Sequence, residues 1–166
     1  ASIRVSVPNS SPTAYIFRKV IYYEWLLEIQ PDEYILPDVW QNYELNLVSF
    51  LNFSTSFDLS LLTGKKIGVL QAKTLNEFVD SYKFMNERAD KIAISFGYDY
   101  YIENCPKEYE NFSRPQKLSV GRNGLIIELI TKNIINYEKP HHLLGCGTPL
   151  EFFIYKDNGF NFIESV

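Results

Sequence analysis

The chain has 166 residues, 46% of them hydrophobic and 22% charged, with a formal net charge of −4. That is enough chain for one domain with a packed core, and the charge leaves no basic footprint of the kind nucleic acid attracts. No apolar run nears the roughly 20 residues a membrane span needs, ASIRVSVPNSS lacks the pattern of a secretory signal, and two distant cysteines, Cys105 and Cys146, fit a reducing cytoplasmic compartment better than a disulfide framework.

Short apolar runs alternate with longer amphipathic segments. Ile3–Val7 (IRVSV) reads as a strand closed by Pro8, Asn9 and Ser10, and a helix is expected over Thr13–Ile29. Glu33–Leu36 (EYIL) is the next strand, ending at Pro37-Asp38. Leu45–Phe50 reads as helical and is followed by a polar loop, NFSTSFD. Lys66–Leu70 (KIGVL) is strand-like and ends at Gln71. Thr74, with Glu77 as its capping-box partner, opens a helix reaching about Arg88. Lys91–Ser95 is another strand, and an aromatic loop over 96–115 leads to a helix over Lys117–Lys132. His142–Leu144 is strand-like, Pro149–Tyr155 a short helix and Asn161–Ser165 a last strand.

This rhythm of five or six β-then-α units predicts an α/β fold with a parallel sheet and covering helices, in one domain over 1–166. Two architectures fit: an open doubly wound sheet, or an incomplete (β/α)8 barrel, since a whole barrel takes around 250 residues.

In either architecture ligands sit at the C-terminal ends of the strands. The polar residues expected there are Asn9, Ser10, Asp38, Gln71, Ser95 to Asp99, and Gly145 to Gly147. Asp38 and Gln71 together suit a flat heterocycle, because a carboxylate accepts two N–H bonds while an amide both donates and accepts. The Gly145-Cys146-Gly147 turn lacks the further glycine of a dinucleotide fingerprint and the GK[ST] of a P-loop. Cys146 as a nucleophile would need a base, and His141 and His142 belong to the far end of the preceding strand, so a small packed cysteine is the better reading. Adjacent strand residues also face opposite ways, which argues against a zinc site at the two histidines. Tyr98, Tyr100, Tyr101 and Tyr109 have two readings, stacking on bases or a lid packed on its own rings. Arg114, Lys117 and Arg122 either meet phosphates there or are simply exposed.

Four blocks, taken in order, resemble the tRNA-guanine transglycosylase superfamily, and most closely its DNA-modifying phage and bacterial branch. They are ILPDVW (Ile35–Trp40), IGVLQAKTLNEF (Ile67–Phe78), ADKIAISFGYDYY (Ala89–Tyr101) and KPHHLLGCGTPLEF (Lys139–Phe152). The resemblance implies a partial (β/α)8 barrel in which Asp38 and Gln71 read the guanine edge. Ser95, Phe96 and Gly97 line the base pocket, and Gly145, Cys146 and Gly147 form the turn before the nucleophile's strand. The implied activity replaces guanine in DNA or tRNA by a free 7-deazaguanine through a covalent aspartyl intermediate; no cofactor is expected, and no metal, since the cysteine-rich zinc site of the family's tRNA enzymes has no match in these residues. The alternatives are a non-catalytic nucleic-acid-binding or partner subunit of the same fold, and an unrelated small-molecule-binding α/β protein; the protein partner expected is another subunit or a second copy in a homodimer. Three departures are visible: Gln71-Ala72 replaces the family's Gln-Gly, SVPNSS stands where the family has Asp-Ser-Gly, and the nucleophilic aspartate is expected just after IESV. The catalytic residues are thus unassigned.

Overall fold

The computed structural model describes residues 12–145 and Glu151. Its elements in chain order are α1 (Pro12–Ile29), β1 (Glu33–Ile35), α2 (Tyr43–Ser56), β2 (Lys65–Val69), α3 (Leu75–Arg88), β3 (Lys91–Ile94), α4 (Asp99–Glu103), α5 (Arg114–Thr131) and β4 (His141–Leu143). The four strands form one parallel sheet in the order β1-β2-β3-β4, so chain order and spatial order coincide. The expected strand Ile3–Val7, the strand Asn161–Ser165, and the helix Pro149–Tyr155 apart from Glu151 lie outside the described residues. The fold is α/β, a parallel sheet with alternating helices.

Alternation along each strand divides the sheet into two faces. Tyr34, Leu36, Leu70, Ile92, Ile94 and Leu143 point into one large core, shared with Leu26 of α1, Phe50 and Phe53 of α2, Phe78 and Met85 of α3, and Leu125 and Leu129 of α5. Ile67, Val69 and Ala93 form a second, smaller cluster with Ile35 and Leu144. Helices from every crossover therefore contribute to one side, and the strands are buried on both faces, which explains their near-continuous apolar runs. Register places Ile35 beside Ile67, and Ile67 beside Lys91, on the second face.

Local chemistry sets the helix ends. Thr74 and Glu77 make the expected capping box, with the Thr74 hydroxyl accepting from the Glu77 N–H and Glu77 accepting from Thr74 N–H. Helix α5 begins at Arg114 rather than Lys117, because Gln116 Oε1 accepts from the Ser113 N–H at 2.9 Å and its hydroxyl at 2.8 Å. Strand β4 is shifted by one residue from the expected His142–Leu144.

Helix α2 corrects the sequence reading most. It runs well beyond Phe50 and takes up Asn52 to Ser56 of the segment read as a polar loop. Phe50, Phe53 and Phe57 recur at helical spacing, and Phe57 packs on Tyr23 of α1 with ring centroids 4.6 Å apart. Thr55 donates its hydroxyl to the Leu51 carbonyl at 2.9 Å, so a residue that competes with helix is satisfied inside one. Burial of the phenylalanines outweighs the polar propensity of the intervening residues.

Candidate functional site

The loops that follow β1, β2 and β3, and the start of the turn after β4, gather at the C-terminal edge of the sheet. They carry Asp38, Gln71, Ser95 to Gly97, and Gly145. Asn46 and Ser49, on the buried face of α2, hold the first loop. Asn46 accepts from the Val39 N–H at 3.1 Å and donates to the Val69 carbonyl at 3.0 Å, while Ser49 donates to the Pro37 carbonyl at 2.9 Å. These two polar residues, three apart on an otherwise apolar face, were legible as an anomaly in the sequence but were not singled out.

Asp38 and Gln71 meet. Gln71 Nε2 donates to Asp38 Oδ2 at 2.5 Å, and Gln71 Oε1 accepts the Gln41 N–H at 2.8 Å. Gln71 is buried and Asp38 exposed, so the amide is a fixed support and the carboxylate is the part that reaches solvent. Gln41 in turn pairs its side-chain amide with Asp99, donating Nε2–H to Oδ2 and accepting the Asp99 N–H, both at 3.1 Å. A continuous hydrogen-bonded chain thus links the loops after β1, β2 and β3.

Two hollows flank this chain. One, of about 300 Å³, is lined by Arg18, Lys19 and Tyr22 of α1 and by the segment from Ile35 to Asp38, which is near the small end of ligand-sized pockets. The Tyr22 hydroxyl donates to the Ile35 carbonyl at 2.8 Å, and burial raises its pKa, so it stays a neutral donor. The other hollow, of about 180 Å³, is polar and lies between Gln41, Glu44 and Lys73. Trp40 is 54% exposed, and a Cβ added at Gly97 would lie 3.2 Å from its ring. The glycine therefore lets a flat, half-open indole lie against the loop after β3.

Phe96 and Gly145 are packed together, since a Cβ at Gly145 would approach Phe96 Cβ to 3.2 Å. Gly145 has φ of 66°, in the left-handed region where glycine is least strained. The Ser95 carbonyl accepts the Tyr101 hydroxyl at 3.0 Å. Cys146 and Gly147 lie outside the described residues.

The structure favours packing over stacking for the loop tyrosines and corrects the reading of Arg122. Tyr98 and Tyr101 are fully buried and cannot stack on an incoming base. They pack on Phe78, and the Tyr98 hydroxyl donates to the Leu70 carbonyl, its pKa raised by burial. Tyr109 packs on Phe112, with centroids 5.0 Å apart. Arg122 is also buried. Its Nε and Nη2 donate to Glu151 Oε1 at 3.1 and 2.7 Å, Nη1 donates to the Leu144 carbonyl at 2.8 Å, and the guanidinium lies 5.0 Å from the Phe96 ring centroid. It braces the floor of the mouth and is not a phosphate contact. Arg114 is exposed, 3.9 Å from Asp99. His141 faces the helices and His142 the opposite side, since the latter pairs with Ala93 of the smaller cluster. Among the described residues, no three His, Cys, Asp or Glu side chains gather as metal ligands, and no helix is long and apolar enough to cross a membrane.

No protein-family model matches the chain, and no curated protein matches its sequence.

Proposed function

We propose that β1–β4 and their helices are a wedge of a (β/α)8-type barrel whose C-terminal mouth binds a guanine-type base. In this reading the chain belongs to guanine transglycosylase-like chemistry, which replaces guanine in DNA or tRNA by a 7-deazaguanine. The barrel reading is supported by the unreversed strand order and by the helices gathering on one side of the sheet. A doubly wound sheet reverses its order and carries helices on both faces.

The observation that carries the base-binding reading is the Asp38–Gln71 pair at neighbouring strand ends. A guanine edge presents two N–H donors beside a carbonyl acceptor. The exposed Asp38 carboxylate suits the donors, and the buried Gln71 amide holds that carboxylate in place. Trp40 supplies an aromatic surface beside them.

In the exchange itself, a carboxylate oxygen bonds to C1′ as the C1′–N9 bond breaks and guanine leaves with a proton. The 7-deazaguanine nitrogen then bonds to C1′, loses its proton and displaces the carboxylate. Such a nucleophile suits the oxocarbenium character of the sugar. The mouth carboxylates Asp38 and Asp99 are each hydrogen-bonded to a glutamine, and Glu151 to Arg122. We therefore assign them to recognition and bracing, not to attack at C1′. That engagement favours, as a second reading, a base-binding partner subunit that does no chemistry.

Calorimetric titration with guanine and 7-deazaguanine tests the site. Wild type is expected to bind, and Asp38→Ala and Gln71→Ala each to weaken binding by about tenfold or more, as loss of a charged hydrogen bond implies. No binding by folded wild type, or binding by both variants as tight as that of wild type, would sink the assignment. Incorporation of labelled guanine into DNA or tRNA separates the enzyme from the partner subunit.

A further inference from the structure

The loop after β1 turns at Gln41, which has φ of 46° although it is not glycine. That left-handed conformation costs an L-residue about 1–2 kcal/mol, so other contacts must hold it. The reciprocal pair with Asp99, two bonds of 3.1 Å, restrains the side chain, and the Asn42 N–H donates to the Val39 carbonyl across the turn at 3.2 Å. Its consequence is felt one residue class away, at Gln71. Held this way, the Gln41 backbone N–H points at the Gln71 side chain, 2.8 Å from Oε1.

A backbone N–H can only donate and an ionised carboxylate can only accept. With Gln41 N–H on one side and Asp38 on the other, the Gln71 amide has one orientation that satisfies both. Its oxygen must face Gln41 and its NH2 must face Asp38. An amide that could otherwise flip is fixed at both ends.

We infer that Gln41 is a positioning residue: its strained turn, tied to Asp99, sets the polarity of the Gln71 amide. The amide then always donates to Asp38 and holds that exposed carboxylate in one place at the mouth. The ligand edge this selects is one that carries N–H donors, which the carboxylate accepts. The inference rests on the reading of this mouth as a base site and adds the residue that fixes its carboxylate through Gln71.

The chain contains its own control. Gln30 is also a glutamine with positive φ, 47°, but it precedes β1 and lies at the opposite end of the sheet. There its Oε1 accepts the Thr63 N–H at 3.1 Å. Gln41→Ala and Gln30→Ala each remove a side chain's hydrogen bonds while leaving the same left-handed backbone without that support. A merely structural role predicts similar behaviour of the two variants at the mouth.

Two readouts test the inference. The first is the side-chain amide signals of Gln71 by heteronuclear NMR, without ligand. Gln41→Ala, and Asp99→Ala as a second route to the same release, should move them towards solvent-like positions, whereas Gln30→Ala should leave them in place. The second is calorimetric titration with guanine: Gln41→Ala should bind about tenfold more weakly, and Gln30→Ala like wild type. Unchanged Gln71 signals in both Gln41→Ala and Asp99→Ala overturn the role of Gln41 whatever the ligand. Shifted signals in a protein whose wild type does not bind guanine overturn the base-site reading instead, and leave the amide lock standing.

Discussion

The Lys91 ammonium lies 2.5 Å from Oε1 and 2.7 Å from Oε2 of Glu33, joining β3 to β1 across the face of β2. The lysine side chain is 2% exposed and the glutamate 29%, so the cation is the member that depends on its partner. Removing one half of a buried pair leaves an uncompensated charge, whereas removing both leaves a packable apolar gap. Glu33→Gln is therefore expected to destabilise the fold by about 2–3 kcal/mol. The double variant Glu33→Gln, Lys91→Met should cost less than Glu33→Gln alone. Urea unfolding of the three proteins checks the order, and a double variant weaker than the single one would contradict it.

His141 makes stability depend on pH. Burial lowers its pKa to about 4, opposed by a hydrogen bond with the Lys139 backbone and reinforced by the Lys139 charge. The Tyr82 hydroxyl accepts the Asn136 N–H at 2.8 Å, so its own hydrogen goes to His141 Nε2, 2.9 Å away. That geometry holds the ring neutral, with its proton on Nδ1. Between the ordinary value near 6.5 and about 4, the unfolded chain binds a proton that the folded chain does not. Stability contributed by the neutral ring is thus fully present above pH 6.5 and is lost as pH falls to 4, by roughly 3 kcal/mol in all. Denaturant midpoints measured across that window should fall with pH, and His141→Asn should flatten the slope.

Arg122 offers a sharper test of bracing at the mouth. Its guanidinium uses three nitrogens at once, two on Glu151 and one on the Leu144 carbonyl, while lying over Phe96. A lysine ammonium can neither span that fork nor stack in the same way. Arg122→Lys is expected to destabilise by about 2–4 kcal/mol despite keeping the charge, through the unpaired Glu151 and the freed carbonyl. Thermal unfolding reads the loss. Near-neutral behaviour of Arg122→Lys would show that the fork is not needed.

What the sequence made legible follows the distance between partners. Strands appear as short apolar runs closed by turn residues, and the Thr74–Glu77 box is written within four positions, so both can be read locally. Asp38 and Gln71 stood out because each ends a strand, and position at a strand end is a local property. Arg122 and Lys91 were misread or missed because their partners lie 29 and 58 residues away. Gln41 was invisible for two reasons. Its φ is a backbone property that glutamine does not advertise, and Asp99 is 58 residues further on. Tyr98 and Tyr101 illustrate the converse: aromatic residues in a loop suit stacking and packing equally, and only the surrounding core decides.

Two glycines of α5 are expected to respond oppositely to the same change. A Cβ at Gly121 would fall 2.5 Å from Tyr101 Cα, so α4 and α5 meet there backbone to backbone. A Cβ at Gly124, one turn on and exposed, would meet nothing within 4 Å. Gly124→Ala should stabilise the protein by about 0.5–1 kcal/mol, through the entropy glycine loses in a helix. Gly121→Ala should destabilise it by about 1–3 kcal/mol, because backbone, unlike a side-chain tip, cannot swing aside. The consequence reaches the mouth, since α4 begins at Asp99, the residue that holds Gln41. Prising α4 from α5 should therefore loosen the Gln41–Asp99 pair as well as lower the melting temperature. In Gly121→Ala the Gln71 amide signals should shift as expected for Gln41→Ala, and in Gly124→Ala they should not. A Gly121→Ala protein of unchanged stability and unchanged Gln71 signals would contradict the close α4–α5 approach.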